Sequence, residues 1–367
     1  MTRLHDLYTQ GAQSPWLDNL RRDWIDNGEL AGWIDKGVRG VTSNPAIFQK
    51  AFTVTDAYDS QFSELLASGR TVEDAYWDLV VDDIKAAADL LATVHSAAGG
   101  EDGHVSVEVA PGLARDATST LAAARDLHSR VSRPNLYVKI PGTVEGLDAI
   151  RDAITDGINV NVTLLFSLER YDKVIDAYMS GLEAIDGPLD GHSGVASFFV
   201  SRVDNEVDRL LEEIGTEEAR SLRGRAAVAN AQLAYGLFCE RFDTERWSAL
   251  SQRGARAQRP LWASTSTKNP SYPTTIYVDT LIAPRTVNTM PEATLTAFED
   301  GGTVARTADA DLDGARRVLD DLARVGVDLD DVTARLEREG IDAFVHAFND
   351  LLSTLSDRSS TLSVADA

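Results

Sequence analysis

Short runs of β-branched and apolar residues alternate along this chain with longer stretches whose apolar residues recur every three or four positions. The runs at 15–19, 38–44, 104–110, 136–142, 159–166, 195–202, 259–265 and 286–290 predict strands. Between the second and third runs the pattern predicts two helices, near 60–67 and 72–97. The stretch 206–242 reads as one long helix or two consecutive ones. Strands alternating with helices predict an α/β fold with a parallel sheet. Eight of them fit a closed (β/α)8 TIM barrel better than an open sheet. Beyond the last strand, Ile341, Phe344, Val345, Phe348, Leu351, Leu352 and Leu355 form one helical stripe. The barrel is therefore expected to carry additional C-terminal helices from about residue 310, with this stripe packed on the barrel. The small polar tail 359–367 is expected to fray. The Gly and Pro clusters read as turns and no internal repeat is evident, so residues 1–367 are expected to form a single barrel domain.

Successive side chains of a strand point to opposite faces, and a parallel barrel strand is normally apolar on both. Several runs here break that rule at alternate positions. Asn159, Asn161 and Thr163 share one face, Ser106 and Glu108 another, and Tyr137 and Lys139 a third. Thr42 and Asn44 share a face in the second run, as Trp16 and Asp18 do in the first. The apolar faces must meet the helices, so the polar ones point into the barrel. A satisfied hydrogen bond accounts for any one of them. Unpaired buried charges, however, cost several kcal/mol each. An acid, a base and several amides converging from five strands point to a functional interior.

The composition, 43% hydrophobic and 25% charged over 367 residues, is that of a globular protein. No apolar run is long enough to span a bilayer. The formal charge of −23 repels nucleic acid and anionic lipid at long range, so neither is an expected partner. An anionic substrate needs local cations to overcome that field. The N-terminus has no apolar signal core, and the single Cys239 cannot form an internal disulfide. A cytoplasmic location is expected. Of six lysines, only Lys139 lies inside an apolar strand. Desolvation disfavours an ammonium, and a neutral amine attacks a carbonyl to give a Schiff base. A buried ion pair with Glu108 or Asp18 explains the residue equally well. The six histidines lack metal-ligand spacing, and neither a G-x-G-x-x-G after a strand nor a G-x-x-x-x-G-K-[ST] occurs. No metal, dinucleotide or other cofactor is expected.

The segments GVTSNPAIF (40–48), VSVEV (105–109), YVKIPGT (137–143), GINVNVTLLFS (157–167), SFFVSRVD (197–204) and RPLWASTSTKNP (259–270) resemble those of transaldolases, in the longer bacterial form. The resemblance runs from about residue 18 to about 290, most of the chain. It implies a class I aldolase-type barrel that works without metal or organic cofactor on phosphorylated sugars. The implied reaction moves a dihydroxyacetone unit from sedoheptulose 7-phosphate to glyceraldehyde 3-phosphate, in the non-oxidative pentose phosphate pathway. The resemblance makes Lys139 the Schiff-base residue. It makes Glu108 an acid/base acting through a water that Thr163 helps to hold. Asp18 becomes the carboxylate that takes the C4 hydroxyl proton. Asn44, Asn161 and Ser197 become hydroxyl ligands of the dihydroxyacetone unit, and Arg202 a phosphate ligand. By parity Arg202 is out of phase with Ser197, which places it past the strand end, at the barrel mouth.

One departure concerns the seventh strand, where shorter transaldolases carry a second phosphate-binding arginine. Residues 264–269 contain none. Ser264, Ser266 and Lys268 share parity, so Ser264 and Lys268 are the expected substitutes, with a merely solvated loop lysine as the other reading of Lys268. Two other functions remain open: a related lyase that cleaves fructose 6-phosphate without an acceptor, and an inactive barrel used as a scaffold. A monomer or homodimer is expected.

Overall fold

The computed structural model describes residues 1–365, with side chains described through residue 360. Eight parallel strands close into a barrel in chain order: β1 (Gln13–Leu17), β2 (Gly40–Thr42), β3 (His104–Glu108), β4 (Leu136–Pro141), β5 (Val160–Leu165), β6 (Gly194–Phe199), β7 (Gln258–Ala263) and β8 (Thr286–Met290). Closure is made by β8 on β1, in register from Gln13 opposite Thr286 to Leu17 opposite Met290. Helices surround the ring, as the alternating pattern predicts.

Apart from β8, the strands are offset or shorter than the sequence pattern suggested, and most of the lost residues fall at their C-terminal ends. β1 stops at Leu17, so Asp18 lies just past it, although its backbone N–H still bonds Met290 O across to β8. β2 has only three residues, and Asn44 is not on its face. It is instead the N-cap of helix Pro45–Val54, its side-chain oxygen accepting from Ile47 N at 3.0 Å. β6 ends at Phe199, leaving Arg202 on the first turn of helix Ser201–Ile214. The stretch read as one or two helices over 206–242 contains three: Ser201–Ile214, Glu217–Ser221 and Ala226–Arg241. Gly215 and Gly224, at φ +73° and +70°, make the breaks in left-handed backbone that side chains resist.

The alternation of faces is visible in the packing. Phe198 of β6 meets Tyr171 of helix Leu168–Glu183, ring to ring at 6.0 Å, so even positions of β6 look outward. Inside, rings from β1, β3 and β4 stack across the barrel: His104 on Tyr137 at 4.1 Å and Tyr137 on Trp16 at 6.1 Å. All three are fully buried. The Trp16 indole N–H donates to Asp102 Oδ1 and Ser14 Oγ, each at 3.0 Å, and Arg39 Nε bonds Asp102 at 2.9 Å. A Cβ on Gly40 would sit 2.4 Å from the Trp16 ring, so only glycine leaves room for it. These residues close the floor of the barrel at the N-terminal ends of its strands.

The expected C-terminal helices are Leu312–Arg324, against Ala226–Arg241, and Leu329–Ala365. The stripe from Ile341 to Leu355 is buried as an amphipathic helix requires, with Phe348 against Tyr76 and Trp77. The tail 359–367, expected to fray, instead continues this helix through Ala365; residues 366–367 lie outside the described residues. Among the described residues no helix is long and apolar enough to cross a membrane.

Candidate active site

A cavity of about 180 Å³ opens at the C-terminal ends of the strands, above the aromatic floor. Lys139 of β4 lines it, 6% exposed. Its Nζ donates to the Ser43 carbonyl at 2.9 Å and to Glu108 Oε2 at 3.2 Å. Glu108 sits opposite Lys139 in the β3–β4 register, which makes the two side chains neighbours on the inner face. The alternatives that the sequence left open thus share one geometry: a buried ion pair whose cation also reaches the cavity. Burial pushes the Glu108 carboxyl above its ordinary range, against the opposing pull of Lys139.

Asp18 lines the same cavity and accepts from Thr42 Oγ1 at 2.8 Å. Thr42 in turn lies 2.6 Å from Thr289 Oγ1 of β8. Burial raises the Asp18 carboxyl too, partly offset by the charge of Lys139 and the Thr42 hydroxyl. Two carboxyls that both feel the charge of one amine are therefore held nearer to neutral pH than a carboxyl in water.

The amide and hydroxyl groups are tied across strands. Asn161 Nδ2 donates to Ser106 Oγ at 3.1 Å, and Asn161 Oδ1 accepts from Ser197 Oγ at 2.7 Å. Ser106 is on β3 and Asn161 on β5, so this bond passes through the barrel interior. Thr163 also lines the cavity, but its Oγ1, like Glu108 Oε1, is buried with no hydrogen-bond partner. One residue further, Leu164 adopts φ +60° where the β5–β6 register shifts, which ends the strict alternation at the rim.

The cations lie on one side. Arg202 has no carboxylate within ion-pair distance among the described residues and is held by rings, Phe199 at 5.4 Å and Phe344 at 5.8 Å. Burial lowers its pKa, the mark of a guanidinium short of solvent. Lys268 lines the cavity and donates to Ser266 Oγ at 2.8 Å. Ser264, at φ +56°, places its Oγ 2.9 Å from Ser201 Oγ.

Eight of the ten residues singled out from the sequence line this one cavity. The other two, Glu108 and Asn161, touch it through Lys139 and Ser197. Sequence reasoning missed the Ser43 carbonyl, which leaves no mark in a side-chain pattern. It also missed the rings around Arg202. Phe344 was legible only as part of a core stripe, yet it faces the mouth.

The fold and this arrangement agree with comparisons to known proteins. Residues 15–355 match the family described as Transaldolase/Fructose-6-phosphate aldolase. The chain is 52% identical to a transaldolase of Frankia alni over 348 residues, 94% of each chain. It is 51% identical to one of Thermobifida fusca over 94% of this chain and 95% of the other. A transaldolase of Mycobacterium leprae is 48% identical over 94% of each. By its site, its barrel and these relatives, the chain belongs to the transaldolase/fructose-6-phosphate aldolase family, on its transaldolase side.

Proposed function

We propose that the chain transfers a dihydroxyacetone unit from sedoheptulose 7-phosphate to glyceraldehyde 3-phosphate through a Schiff base on Lys139. The observation that carries this reading is the buried Lys139 amine, 3.2 Å from Glu108, lining a cavity with Asp18 and with cations on one side. The neutral amine attacks the ketose carbonyl, and loss of water gives an iminium. Glu108 shuttles protons for that step through a water; its unpartnered Oε1 and the unpartnered Thr163 Oγ1 are the groups to hold it. Asp18 takes the C4 hydroxyl proton as the C3–C4 bond breaks. The bonding electrons enter the iminium as an enamine, and erythrose 4-phosphate leaves as the aldehyde. The acceptor aldehyde then takes its place, the enamine attacks it, and hydrolysis releases fructose 6-phosphate. Asn44, Asn161 and Ser197 orient the hydroxyls of the bound unit. Arg202, with Ser264 and Lys268, receives phosphate, the local charge that a −23 chain needs for an anionic substrate. The lone Cys239 suits a cytoplasmic enzyme, working as a monomer or homodimer.

The test is borohydride reduction in the presence of fructose 6-phosphate, followed by peptide mass mapping. The expected adduct is on Lys139 and vanishes in Lys139→Met. An adduct on another lysine, or turnover by that variant, overturns the reading. The family also covers fructose-6-phosphate aldolases. Release of glyceraldehyde 3-phosphate from fructose 6-phosphate without an acceptor, at the rate seen with one, identifies that activity instead.

A further inference from the structure

Lys268 sits on the segment that leaves β7 at Ala263 and reaches the short helix Ile276–Asp279 without regular structure between. A lysine is a point charge on a flexible stem, so where its charge stands depends on where its backbone is held. Among the described residues the only hydrogen bond of its amine is to the neighbouring Ser266 hydroxyl, which moves with the same segment. The firm anchors are on the far side of that segment. Tyr272 OH donates to Asp208 Oδ2 at 2.5 Å, and Tyr277 OH donates to Asp204 Oδ2 at 2.8 Å. Both aspartates are buried, 1% exposed for Asp204 and 8% for Asp208. Their second oxygens accept from backbone, Ala227 N at 2.8 Å and Gly224 N at 2.9 Å, so both carboxylates are fixed before the tyrosines arrive. Gly224 also gives the Tyr272 ring a bare backbone to lie on, since a Cβ there would stand 2.8 Å from it. Thr267 Oγ1 ties the segment to itself through the carbonyls of Pro273 and Thr274, at 3.1 and 3.0 Å.

Asp204 and Asp208 are four residues apart, hence on one face of helix Ser201–Ile214, and that helix begins beside Arg202. The geometry points to Tyr272–Asp208 and Tyr277–Asp204 as positioning pairs that set the reach of Lys268, so that one helix fixes the spacing of both cations that meet the substrate phosphate. This rests on the reading of Lys268 as a phosphate ligand. Arg202 is set directly by its place on the first turn, and Lys268 is set indirectly through the two tyrosine hydroxyls.

The test compares kcat/KM for fructose 6-phosphate with that for fructose, at saturating erythrose 4-phosphate. Tyr272→Phe, which removes one oxygen and keeps the ring, is expected to lower this phosphate preference by about fivefold to tenfold, the size of one displaced hydrogen bond. Turnover at saturating fructose 6-phosphate stays within about twofold, because no reacting group has moved. Lys268→Ala lowers the preference as well, and in that background Tyr272→Phe changes it no further. Equal losses on both sugars, or additive losses in the double variant, overturn the positioning role. A preference unchanged in Lys268→Ala overturns the phosphate role of Lys268 itself, and the inference with it. If Lys268→Ala lowers the preference while Tyr272→Phe leaves it intact, only the positioning role falls. Tyr277→Phe provides the second, independent variant and the same criteria apply to it.

Discussion

Replacing Lys139 by methionine removes the amine, and it also strands Glu108. The two groups are 3.2 Å apart, with side chains 8% and 3% exposed. At that distance and an effective dielectric of about 20, two unit charges attract by ~5 kcal/mol. The variant does not lose all of this, because Glu108 has an escape in taking up a proton. Protonating an ordinary glutamate of pKa about 4.3 costs ~3.7 kcal/mol at pH 7 and ~1 kcal/mol at pH 5. Burial already raises the Glu108 carboxyl, so these figures are ceilings. A glutamate with its folded pKa raised above the unfolded value favours folding at low pH and loses that contribution as pH rises toward the folded pKa. Lys139→Met is therefore expected to be destabilised by about 3 kcal/mol at pH 7 and by about 1 kcal/mol at pH 5, relative to the parent at the same pH. Glu108→Gln in the same chain recovers most of the loss at pH 7. Urea unfolding followed by tryptophan fluorescence, with six tryptophans as reporters, measures all three proteins. A loss of equal size at both pH values, or no loss at pH 7, refutes the view that Lys139 and Glu108 are a charged pair in the free enzyme.

Gly40→Ala pushes a methyl group to 2.4 Å from a Trp16 ring that has no room to retreat, and about 2 kcal/mol of stability is expected to go. Thr42, two residues on, holds Asp18, so kcat falls with it; a loss under about 0.5 kcal/mol with full kcat shows that the floor is softer than drawn. With Asp18 in its proposed role as the base, which must be ionised to act, the acid limb of the kcat profile is expected to follow its carboxyl. Because burial raises its folded pKa, activity is lost on acidification at a pH above the ordinary carboxylate value of about 3.9. A limb at or below that value contradicts the assigned role.

The barrel and the strand-borne part of the candidate site, Lys139, Glu108, Asn161 and Thr163, are legible from alternation, because inward polar residues on parallel strands have no structural reason to be common; Ser197, Arg202, Ser264 and Lys268 are legible only through the family resemblance. Lys139 and Glu108 stand out in this way, and the structure pairs them in register. Period-two reasoning weakens at strand ends. Asp18 and Asn44 were grouped with strand faces, yet both lie beyond their strands, one after a β-bond to Met290 and the other as a helix cap. The rim follows backbone turns, such as Ser264 at φ +56°, that no hydrophobic pattern encodes. The C-terminal helix was visible only from Ile341, whereas it starts at Leu329. Half of its first twelve residues are charged, and the twelfth is Gly340. That glycine lets the helix approach Leu164 and Arg202, where a Cβ would stand 2.9 Å from Leu164 Cδ2 and 3.5 Å from an Arg202 Nη. A tertiary contact of this kind leaves no local signal.

The stacked rings of Trp16, Tyr137 and His104 floor the site cavity, which opens at the C-terminal ends of the strands. Whatever aldehyde is cut from the donor must depart by the door through which its replacement arrives. Two sugars cannot share the vessel, so the covalently tethered fragment has to wait, alone, between one guest and the next. Alternating turnover is then a matter of plumbing as much as of chemistry.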